Sequence, residues 1–102
     1  MNLSPSDIRI IEKAVSFFIS RHFDGVNEES EKINRESALR ALETVKNEKE
    51  QLPIEEVRAL FVALTNFANE MSEISVYNDK PAIKRAYQLA DEFWLILKAS
   101  GH

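Results

Sequence analysis

The sequence predicts an all-α fold: an antiparallel four-helix bundle in up-down-up-down order, forming one domain over residues 1–102. Three observations lead to it. The 102 residues include only two glycines and three prolines, too few turn formers for a hairpin-rich sandwich or barrel. Apolar side chains recur at intervals of three and four along four segments, which is the period of a helix face. The connections at 24–27, 51–53 and 75–79 are short enough to reverse the chain between neighbours. Helices are therefore expected at about 5–23, 27–50, 53–74 and 80–99.

The first helix begins at Ser4-Pro5-Ser6-Asp7. Ser4 is placed to cap, Pro5 suits the first helical position, and Asp7 can answer Ser4 in a capping box. Asp24-Gly25 marks its end, because glycine takes the left-handed conformation that closes a helix. Ile8, Ile11, Ala14, Val15, Phe18, Ile19 and His22 share one side, with Ile10 and Phe17 at one edge and Phe23 at the other. An arc of roughly 240° exceeds the ~100° stripe that one-sided burial requires. Burial on more than one side is expected, and Ile10, Ala14 and Phe17 form a second line suited to partner binding.

The second segment is polar, with a thin apolar line through Val26, Ile33, Ala38, Ala41, Leu42, Val45 and Leu52. Glu28–Lys32, Glu31–Arg35 and Glu36–Arg40 each place an acid four residues before a base, an orientation that stabilises a solvated helix by about 0.2–0.5 kcal/mol per pair. Asn34 and Ser37 offer a later start, leaving residues 24–34 as a loop in the alternative reading. Pro53, Glu55 and Glu56 suit the first turn of the third helix. Its line of Ile54, Val57, Leu60, Phe61, Leu64, Phe67, Ala68, Met71 and Ile74 keeps a helical period without a miss. Asp79 caps the fourth helix, with Pro81 in its first turn. Ile83, Ala86, Tyr87, Ala90, Phe93, Trp94 and Leu97 are expected to be its buried face.

Composition narrows the chemistry. Cysteine is absent, which removes disulfides, thiolate metal sites and a cysteine nucleophile. The net charge of -4 and pI near 5.2 give no electrostatic reason to bind nucleic acid or an anionic membrane. No signal peptide or membrane-spanning run is expected, which makes a cytoplasmic location the default. His22 and His102 stand without a second histidine at ligand spacing, and the residues three before them are Ile19 and Ala99, so the Glu-x-x-His pattern of di-metal bundles does not occur.

The carboxylate pairs Glu55-Glu56 and Asp91-Glu92 diverge by about 100° on a helix and read as solvated faces. Tyr77, Asn78 and Asp79 read as turn and capping residues. Lys80, Lys84 and Arg85 form a modest basic patch, while Arg35, Arg40, Lys46 and Lys49 are interleaved with acids. No catalytic residue, cofactor or metal is expected. The reading is a small non-enzymatic interaction or regulatory protein of adaptor, inhibitor or immunity type. It docks a helical face onto another protein or onto itself through Ile10, Ala14 and Phe17, with Leu39, Val62 and Leu95 as further apolar residues off the main stripes. The alternative is a helical regulator that binds nucleic acid, or a ligand held among Phe61, Phe67, Tyr87, Phe93 and Trp94.

Overall fold

At the start of the first helix, the Ser4 hydroxyl accepts a hydrogen bond from the Asp7 N–H at 3.0 Å, and the Asp7 carboxylate accepts one from the Ser4 N–H at 3.2 Å. Two N–H groups that the helix leaves unpaired are thereby satisfied. A computed structural model of the chain describes residues 3–20, 28–47, 52–74 and 79–101. These residues form four helices: α1 (Pro5–Ser20), α2 (Glu28–Lys46), α3 (Ile54–Glu73) and α4 (Lys80–Ala99). The expected extension of the first helix to Phe23, and of the second beyond Asn47, lies outside the described residues. Residues 28–34 are helical, so a loop running to 34 is not what forms.

Helix α3 follows Pro53 and ends at Ile74, whose backbone is extended. Asp79 caps α4 by accepting from the Ala82 N–H at 3.1 Å. Beyond α4, Gly101 has φ of 81°, a left-handed position that glycine takes without steric cost.

The core is assembled around α3. Val57, Leu60, Leu64 and Phe67 meet Ile11, Val15 and Phe18 of α1, Ala38, Ala41 and Val45 of α2, and Leu89, Phe93 and Leu97 of α4. Helix α3 packs against all three of the others, whereas α2 and α4 make no contact among the described residues. Buried alanines at 14, 38, 41, 59, 63, 68, 86 and 90 let the helix axes approach closely. The pairs Phe61–Trp94 and Asn69–Tyr87 show residue numbers rising along α3 as they fall along α4. The result is a bundle of 36 × 34 × 24 Å with a radius of gyration of 13.1 Å, the value expected for about 100 residues.

Candidate functional site

The line expected to bind a partner is placed mainly inside the molecule. Ala14 is fully buried and Ile10 is 8% exposed. Phe17 is half-buried, its ring meeting that of Phe67 edge-on at 6.1 Å. The wide apolar arc of α1 has a monomeric cause, because α2, α3 and α4 all pack against this helix. Ile10, Ala14 and Phe17 therefore do not form an open strip on the folded chain. His22, His102, Tyr77 and Asn78 lie outside the described residues. Among the described residues, no group of three or more histidines, aspartates or glutamates is arranged to hold a metal ion, and no helix is long and apolar enough to cross a membrane.

Two acids expected in capping or solvated positions are buried and partnered. Asp7 receives Arg85 Nε at 2.8 Å and Nη2 at 3.0 Å, a two-pronged contact between α1 and α4. Arg85 also reaches Gln88 at 3.3 Å and lies 3.8 Å from Glu92. The hydrogen bonds from Arg85 hold the Asp7 carboxyl below its ordinary pKa; burial pushes the other way, and the Ser4 N–H adds to the lowering. A carboxylate held ionised by a fixed guanidinium is a pin between helices, and it has no proton to give. An open cleft of about 460 Å³ lies beside this pair, between Arg9 and Lys13 of α1 and Pro81 of α4. On α2 and α3, the buried Glu56 accepts a 2.6 Å hydrogen bond from the Thr44 hydroxyl. This corrects its reading as a solvated acid, because the N-terminal turn of α3 faces the C-terminal turns of α2. Arg40 bonds Ser37 at 3.2 Å and does not form the expected ion pair with Glu36.

The surface least explained by stability lies on the outside of α3 and α4. Of the aromatic set considered as a pocket, Phe67 and Phe93 are core residues, while Trp94 is 44% and Tyr87 38% exposed. Trp94 rests on Phe61 of α3 with ring centroids 5.4 Å apart. The Tyr87 hydroxyl bonds the Asn69 side chain at 2.7 Å. Leu95 beside Trp94 is 62% exposed, and Val62 is half-buried. Two rings are thus held in place by α3 while presenting a face to solvent.

The line Ile83, Ala86, Ala90, Phe93 and Leu97 admits Tyr87 and Trp94 to the buried face of α4 only while Leu89 and Ile96 are left out of it. Leu89 is fully buried and Ile96 packs against the core. Including both rotates the buried face of α4 about its axis until Trp94 and Tyr87 fall beyond its edge. Comparison of the chain with protein-family models, with curated proteins and with solved structures found no match.

Proposed function

We propose that this chain is a protein-docking module that binds another protein through the outer face of α3 and α4. The observation that carries the reading is Trp94, nearly half exposed yet fixed against Phe61. A tryptophan held in one orientation loses little freedom on binding and offers a large apolar area, the character of an interface anchor. Leu95 and Tyr87 widen the apolar surface around it. This reading keeps the expected class of function and moves the docking face from α1 to α4.

The test is partner recovery from the native cell by the wild-type chain and by Leu95→Glu and Trp94→Ala variants. Both variants should retain the helical circular dichroism of the wild type, since neither residue fills the core. One protein recovered stoichiometrically by the wild type and lost by both variants is the expected result. Equal recovery by all three chains would remove this face from the function.

A further inference from the structure

Two rows of exposed side chains run down the free side of α4 at seven-residue spacing: Lys80, Tyr87 and Trp94 in one, Lys84, Asp91 and Lys98 in the other, all exposed. Seven residues is the repeat that keeps one helix in register with another laid beside it. Helix α4 touches only α3 and α1 among the described residues. At the upstream end of the rows, Met71 and Ile83 lie in a hollow of about 390 Å³ bordered by Ser72, Tyr87, Lys80 and Lys84. Lys80 and Lys84 make no ion pair among the described residues. The two rows carry three lysines and one aspartate, a local charge of +2 on a chain whose net charge is -4.

We propose that the partner docks here as an acidic amphipathic helix. It lies along α4, seats apolar side chains in the Met71–Ile83 hollow and against Trp94, and places carboxylates beside Lys80, Lys84 and Lys98. This inference rests on the docking role proposed above and adds the partner's chemistry to it. The length of the surface is what selects a peptide chain over a small anion. Lys80 and Lys98 lie about 27 Å apart along the helix axis at 1.5 Å per residue, about five turns of a partner helix. Apolar contact gives such a helix its area, and the lysines give it orientation and preference.

The probes are three synthetic helical peptides of about 20 residues with one shared leucine stripe, flanked by Glu, Gln or Lys. Trp94 is the only tryptophan in the chain, so its fluorescence reports occupancy of this face directly. The Glu peptide should bind about tenfold more tightly than the Gln peptide, as two or three exposed ion pairs imply. That advantage should vanish between about 0.05 and 0.5 M salt. Lys80→Glu with Lys84→Glu should reverse the preference toward the Lys peptide without loss of fold, because acids are favoured at a helix N-terminus.

Equal binding of the Glu, Gln and Lys peptides would overturn the acidic partner while leaving the docking role standing, as would Glu-peptide binding unchanged by the double substitution. A chain that associates with itself and covers Trp94 in sedimentation would also overturn it, making a second copy the occupant. If no peptide of any charge moves the Trp94 signal and Leu95→Glu changes no partner recovery, the docking role falls as well.

Discussion

Asp7 does three things with one carboxylate: it completes the capping box of α1, receives both prongs of Arg85, and joins α1 to α4. Its side chain is 8% exposed and that of Arg85 33%, so the pair is shielded on one partner and partly solvated on the other. A carboxyl whose pKa is lowered in the folded state adds stability that is present above the unfolded value, about 3.9. That stability is lost as pH falls through the folded value. Asp7→Asn should therefore cost about 1–3 kcal/mol at neutral pH, and the gap to wild type should narrow below about pH 4. Urea unfolding at both pH values measures it; a gap that does not change with pH would show that the charge of Asp7 contributes nothing. The capping half of this arrangement is legible in Ser4-Pro5-Ser6-Asp7, because it is local. The Arg85 half is not, since nothing in helical spacing relates residues on different helices.

At the scale of elements, periodicity predicts the existence and order of all four helices, and caps place the starts of α1 and α4. What periodicity leaves open is which side of a broad apolar arc meets another helix of the same chain. On α1 the answer is nearly every side, so Ile10 is buried at the edge of the arc. Ile10→Glu with Phe17→Glu is therefore expected to lower the stability of the monomer by about 3 kcal/mol or more, through lost burial and a carboxylate placed in an apolar site. Leu95→Glu should change it by less than about 0.5 kcal/mol. Thermal unfolding of both variants tests the assignment, and a fully stable α1 double variant would return that helix to the surface. On α4 the converse holds. Its aromatic residues suggest core by type, and the burial of Leu89 leaves Tyr87 and Trp94 outside. The face proposed for docking thus lies where residue type and helical position disagree.

For the whole molecule, α3 is the common support: α2 and α4 each pack on it and do not meet among the described residues. A partner lying along α4 would therefore leave the α2 side of the bundle untouched. The Asp7–Arg85 contact, by contrast, spans 78 residues of chain. Bringing such distant segments together costs loop entropy, which rises by about 0.6 kcal/mol for each doubling of the loop. The contiguous α3–α4 pair faces no such delay, and it shares the broadest packing in the fold. Folding is thus expected to begin from α3 and α4, with α1 docking after the rate-limiting step. Arg85→Met should accelerate unfolding about five- to hundredfold and leave refolding nearly unchanged, as for a contact absent from the transition state. Stopped-flow mixing across a denaturant series separates the two rates, and slowed refolding with unaltered unfolding would place α1 in the folding nucleus instead. The pin between the first and last helices then acts chiefly as a latch, setting how long the folded chain persists once it has formed.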